Sequence, residues 1–155
     1  MMSLVYVFWM YVLLFAFIGM LRGWARELLV AFSVILALAL NHLLRRYIPI
    51  VQELPDQSPS LFWVQALIVV GLVFFGYQTI ALVPHLQSRA TRERLQDSLF
   101  GAILGGVNGY LIAGTILFYI VSTGYTVFPQ VVMPPTGEVA DAVNSMMAYL
   151  PPHLL

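Results

Sequence analysis

Four long runs of this chain carry almost no charge, and each approaches the length needed to cross a lipid bilayer. They extend from about Ser3 to Leu21, Leu28 to Leu44, Leu61 to Val83 and Leu99 to Val121. A span needs about 20 mostly apolar residues to bridge a ~30 Å hydrocarbon core. Water cannot satisfy the backbone there, so each run must close its own hydrogen bonds as a helix unless the chain forms a closed barrel. The period-two alternation of a barrel is missing. The expected fold is therefore all-α. It is an integral membrane four-helix bundle over residues 1–121, followed by a tail over residues 122–155.

Composition agrees. The chain is 61% hydrophobic and 9% charged, where a soluble domain is about half apolar and about a quarter charged. A soluble globular fold and a disordered chain are both excluded. Seven arginines balance seven acids, and lysine is absent. That balance argues against a nucleic-acid partner, which needs a basic surplus. Cysteine is absent too, so disulfides and thiolate metal sites are excluded. The first run has no basic residues before it and no clear small-x-small cleavage site after it. It reads as a retained span, not a secretory signal.

The connections differ in character. Loop one, Arg22 to Glu27, is very short. Loop two, Arg45 to Ser60, holds Pro49, Pro55 and Pro59 and reads as an exposed turn-rich link. Within it, Ser58-Pro59 reads as an N-cap followed by a first-turn proline. Loop three, Pro84 to Ser98, reads as helical at its end and continuous with the fourth span. Loops one and three share a side in a four-span protein. They hold Arg22, Arg26, Arg89, Arg92 and Arg94, against Arg45 and Arg46 in loop two. The positive-inside rule then places residues 22–27 and 84–98 in the cytoplasm and both termini outside.

The tail is broken by Pro129, Pro134, Pro135, Pro151 and Pro152. Between them, 138–150 has a helical rhythm, with Val139, Val143, Met146 and Leu150 on one face. Thr136 is the expected cap, and Glu138 and Asp141 stand where the helix dipole favours acids. This amphipathic helix is expected to lie on the outer surface, to fold onto the bundle, or to dock a partner.

Two constellations stand out. On the fourth span Gly101, Gly105 and Gly109 recur every fourth residue, and Ala113 continues the row. Small residues at this spacing let another backbone approach closely. The neighbour is expected to be a helix of the same bundle. The alternatives are self-association and a pore lining. The second constellation is Arg22-Gly23-Trp24-Ala25-Arg26-Glu27. A continuous helix from Ser3 to Leu44 would be about 63 Å long at 1.5 Å per residue, so the chain must turn here, with Gly19 and Gly23 as its flexible points. The charges of so short a turn stay near the hydrocarbon boundary, and must reach the interface or find partners. An ion-pair cluster with Glu93 and Asp97 is the expectation, against plain interfacial anchoring with Trp24.

Nothing else carries chemistry. His42, His85 and His153 have no second ligand at metal spacing. Neither a nucleophile elbow nor a phosphate-binding loop is present. Gln65, Gln78, Thr79 and Asn108 read as interhelical hydrogen bonders. The expectation is a non-enzyme with no cofactor or metal.

Together the two constellations resemble the colicin V production (CvpA-type) family, a bacterial inner-membrane domain of four predicted spans. The first motif stands here as Arg22-Gly23-Trp24-Ala25-Arg26-Glu27-Leu28. The second stands as Asp97-Ser98-Leu99-Phe100-Gly101, then Gly105, then Asn108-Gly109. The likeness covers roughly residues 3–121. Two family arginines are replaced, by Ser98 and by Asn108, and the second change removes a reason to expect an acidic partner at 108. The resemblance implies a helper in toxin production, toxin export or envelope upkeep, working through membrane partners. The competing expectation is a small oligomeric channel or transporter with the Gly101/Gly105/Gly109 helix at the subunit interface.

Overall fold

The computed structural model describes residues 4–79, 91–129, 132 and 134–153, with the side chains of 79 and 91–93 set aside. Among these residues the chain is helical and has no strand. The order is α1 (Leu4–Arg22), α2 (Trp24–Tyr47), the single turn α3 (Pro49–Gln52), α4 (Pro59–Thr79), α5 (Thr91–Ser122), α6 (Glu138–Met147) and a 3-10 turn (Pro151–His153). Helices α1, α2, α4 and α5 are long and apolar enough to span a membrane. The chain is an all-α protein built for a bilayer.

Helix starts and stops follow local chemistry. Gly23 separates α1 from α2 with φ +88° and ψ 157°, a region essentially confined to glycine, where another residue is strained by about 1–3 kcal/mol. Ser58 Oγ accepts the Leu61 N–H at 3.2 Å, so the serine caps α4 and Pro59 opens it. Helix α5 ends where Gly124 and Tyr125 take φ of 62° and 63°. There the Tyr125 N–H returns to Ile120 O at 3.1 Å, a closure typical of helix ends. The 32 residues of α5 reach about 48 Å at 1.5 Å per residue. Its first turns therefore stand outside the hydrocarbon. Residues 80–90, including Arg89 and His85, lie outside the described residues.

Two packing layers hold the bundle. Val30, Val34, Ala37 and Leu38 of α2 meet Phe62, Ala66, Val69 and Val73 of α4, and Tyr119 of α5 closes this cluster. The spacing on both helices is that of one helical face. Helix α1 lies antiparallel along α5. Outward, Leu13 and Phe17 of α1, Phe32 and Leu36 of α2, and Leu67 and Phe75 of α4 are exposed. So broad an apolar surface belongs against lipid.

The tail folds back onto the bundle. Val143 and Leu150 are fully buried, and Leu150, Met146 and Met147 pack with Phe8 and Leu117. The Tyr110 hydroxyl donates to Tyr149 O, and Pro151 Cδ lies 3.1 Å from where a Cβ on Gly114 would stand. Gly114 is eight residues before Ser122, so the tail reaches about 12 Å down α5 at 1.5 Å per residue. Two expectations for the tail are corrected. The residue before α6 is Gly137, with φ +61° and no side-chain cap, so Thr136 does not cap it. Helix α6 also stops at Met147, because the chain must turn to set Leu150 and Pro151 against α5.

Candidate functional site

The glycine row faces α1 of the same chain. A Cβ built on Gly101 would collide with the Gly19 carbonyl oxygen and lie 3.0 Å from Gly23 Cα. One on Gly105 would collide with the Phe15 carbonyl oxygen and lie 2.9 Å from Gly19 Cα. One on Gly109 would lie 3.0 Å from Val12 Cα and 2.7 Å from Phe15 Cβ. The obstacles are mostly backbone, which cannot step aside as a side chain can. Ala113, next in the row, instead lines an apolar cavity of about 340 Å³ between α1 and α5. The neighbour of Gly101, Gly105 and Gly109 is therefore α1 of the same chain, which fills that face. Gly19 belongs to this contact as well as to the turn. Its spacing from Gly23 is a second small-residue pair at fourfold separation, a signal legible in the sequence.

The crossing of α1 over α5 places the turn beside the first exposed turns of α5. The Trp24 N–H donates to Asp97 Oδ1 at 3.0 Å. Asp97 therefore caps α2 from another helix, supplying the carboxylate that Gly23, at the N-cap, cannot. A Cβ on Gly23 would lie 2.6 Å from Asp97 Oδ2, so the glycine admits the carboxylate as well as the turn. This corrects the expected ion pairing of Asp97 with the turn's arginines. Among the described residues the ion pairs are Arg22–Glu27 and Arg45–Asp56. The side chain of Glu93 lies outside the description.

Glu27 turns inward. It is 0% exposed, as is Asn108. The Asn108 side-chain amide donates to Glu27 Oε2 at 2.9 Å and to Glu27 O at 2.8 Å. An acidic partner stands at 108 although the change to asparagine removed one reason to expect it: the amide holds the acid by hydrogen bonds. Arg22 Nε lies 3.7 Å from Glu27 Oε1, and its guanidinium carbon stacks 4.2 Å from the centre of the Tyr77 ring. The Tyr77 hydroxyl is buried in the same cluster. Arg22, Glu27, Tyr77 and Asn108 thus join α1, α2, α4 and α5. Arg26 is partly exposed, and Trp24 keeps its ring at the surface. Nothing in the sequence singled out Tyr77, because its role depends on where α4 ends relative to the turn.

The arrangement ties four helices together around one buried carboxylate. Its carboxylate is engaged by an amide and a guanidinium, and Asp97 by a backbone N–H. No group of three or more metal-ligating side chains gathers among the described residues. In the other spans, Asn41 donates its side-chain amide to the main-chain carbonyl oxygen of Gln65 at 3.1 Å.

Searches of curated proteins and of solved structures returned no match. A family model described as Colicin V production protein matches residues 5–144. The match takes in the turn, the glycine row and all four spans, and runs past α5 into α6. With most of its length covered, this chain belongs to the colicin V production protein family.

Proposed function

We propose that the chain is a non-enzymatic membrane module that assists production or export of a peptide toxin, or upkeep of the envelope, by holding protein partners in the bilayer. The observation that carries this reading is the use made of the glycine row. Gly101, Gly105 and Gly109 are spent on α1 of the same chain. A helix whose close-approach face is so occupied has no such face left to line a pore shared between copies. Glu27 of the turn and Asn108 of α5, both interior, bond to one another and do not mark a path. The outward ridge Trp63, Leu67, Val70 and Phe74 on α4 offers lipid or a partner helix an apolar surface.

The proposed setting is the bacterial inner membrane. Residues 22–27 and 84–98 lie in the cytoplasm, and both termini lie outside. The arginine count supports it, and so does the Trp24–Asp97 bond, which brings the two arginine-bearing segments to one face. Two experiments test the proposal. Purified protein in liposomes is expected to pass no ions or small solutes beyond empty vesicles; sustained flux contradicts the reading. Deletion in a toxin-producing cell is expected to lower secreted toxin, with rescue by the wild-type chain and not by Gly105→Leu. Unchanged secretion contradicts the helper role.

A further inference from the structure

A second polar cluster lies at the end of the bundle away from the Gly23 turn, outside both sequence motifs. The Asn41 amide of α2 donates to Gln65 O of α4 and to the Tyr119 hydroxyl of α5, each at 3.1 Å. These bonds pin the main chain of α4 at Gln65 and do not use its side chain. Gln65 is 9% exposed. Its side-chain amide has no hydrogen-bond partner among the described residues, and it is not one of the side-chain groups sealed inside the protein there, as Asn41 Oδ1 is. Gln65 lines a cavity of about 240 Å³, walled also by Leu38, His42, Arg45, Phe118 and Pro152 of the tail. A nearly buried amide with neither half bonded is costly to keep, and leucine at 65 would avoid that cost. The amide is matched only when a polar group enters the cavity.

Depth and charge select the occupant. Asn41, which holds Gln65, precedes Arg45 by one turn of α2, so the glutamine lies about 6 Å deeper than the arginine at 1.5 Å per residue. Arg45 stands in the last turn of α2, at the end of the span. Its partner Asp56 is 79% exposed, and exposed pairs hold weakly. A phosphate can therefore share the guanidinium through charge-assisted bonds. A phospholipid in this leaflet carries its acceptors in the same order, with the phosphate at the surface and the ester carbonyls just below it. A carbonyl oxygen only accepts, and the Gln65 amide, bound to nothing else, is free to turn Nε2 toward it. Leu38, one turn deeper than His42, and Phe118 give the acyl chain an apolar wall.

We propose that this cavity binds an ester-linked phospholipid, with the phosphate on Arg45 and one ester carbonyl accepting from Gln65 Nε2. The ether-linked counterpart has the same phosphate and chains of the same length but no carbonyl for the amide to hold. A diacylglycerol has the carbonyls but no phosphate for the arginine.

The test titrates the full chain in non-ionic detergent with dioleoyl phosphatidylglycerol, its dioleyl ether counterpart and dioleoylglycerol, with binding read by native mass spectrometry. The ester phospholipid is expected to bind about fivefold tighter than the ether, the worth of one hydrogen bond to a nearly buried amide. Gln65→Leu abolishes that preference. Arg45→Gln weakens both phospholipids and leaves dioleoylglycerol, already the weakest of the three, unchanged. The lipid-free Gln65→Leu protein is expected to melt no lower than wild type, because the side chain holds nothing within the fold. Equal binding of ester and ether by the wild-type chain overturns the proposal. So does a preference that survives Gln65→Leu, or phospholipid binding that Arg45→Gln leaves intact. A lowered melting temperature for lipid-free Gln65→Leu would mark the glutamine as structural and overturn it as well.

Discussion

Asn108 holds Glu27 by both its side chain and its main chain, with Nδ2 at 2.9 Å from Oε2 and 2.8 Å from the carbonyl oxygen. One amide thereby fixes the first turn of α2 against the middle of α5. Asn108→Leu leaves a fully buried carboxylate short of a donor. The expected loss is about 2–3 kcal/mol, more than for a neutral pair. Thermal melting in detergent checks it. Glu27→Leu in the Asn108→Leu background is expected to recover much of the loss, since a buried polar pair replaced together costs less than one broken in half.

Gly105 and Gly71 make a controlled comparison. A Cβ on Gly105 meets the backbone of α1, with Gly19 Cα at 2.9 Å, whereas one on Gly71 meets nothing within 4 Å. Gly105→Ala is expected to destabilise by about 1–3 kcal/mol, because α1 must move as a whole. Gly71→Ala is expected to be neutral, or to stabilise by about 0.5–1 kcal/mol through helix propensity. Equal melting temperatures for the two variants contradict the crossing described.

Asp97 acts on α2 through a hydrogen bond from the Trp24 N–H. Asp97→Ala is expected to lower stability by about 0.5–2 kcal/mol, the range for a lost N-terminal cap. Asp97→Asn keeps an acceptor oxygen and is expected to retain most of it. Were the aspartate instead an ion-pair partner, the neutral amide would behave like alanine in the same melt.

Tyr77 supports Arg22 with its ring, whose centre lies 4.2 Å from the guanidinium carbon. Tyr77→Phe keeps that face and is expected to change little. Tyr77→Leu removes it and is expected to lose about 0.5–2 kcal/mol. A double cycle with Arg22→Gln measures the coupling directly.

The four spans were legible because a bilayer forces one solution on a long apolar run. The cap at Ser58 and the turn at Gly23 were legible because each depends on adjacent residues alone. The glycine row announced a close approach but not its partner, since the spacing describes one surface of a two-sided contact. Gly19 was read only as a hinge. Glu27 was placed at the boundary with its charge unassigned. Whether it reached the interface or turned inward depended on Asn108, 81 positions away in the chain. The inward fold of the tail was one of three readings left open, because the alternatives share the same amphipathic pattern and differ only in what covers the apolar face.

The central claim is that α1 of one chain fills the glycine row of its own α5. A Cβ on Gly106 would lie 3.5 Å from Ala16 Cβ, within the separation that a disulfide bridges, and the chain has no cysteine of its own. Oxidation of the Ala16→Cys/Gly106→Cys double variant in membranes is expected to give a monomer with an internal disulfide, while co-expressed single variants give no dimer. A dimer linked between Cys-bearing copies, with no internal bond in the double variant, would contradict the claim.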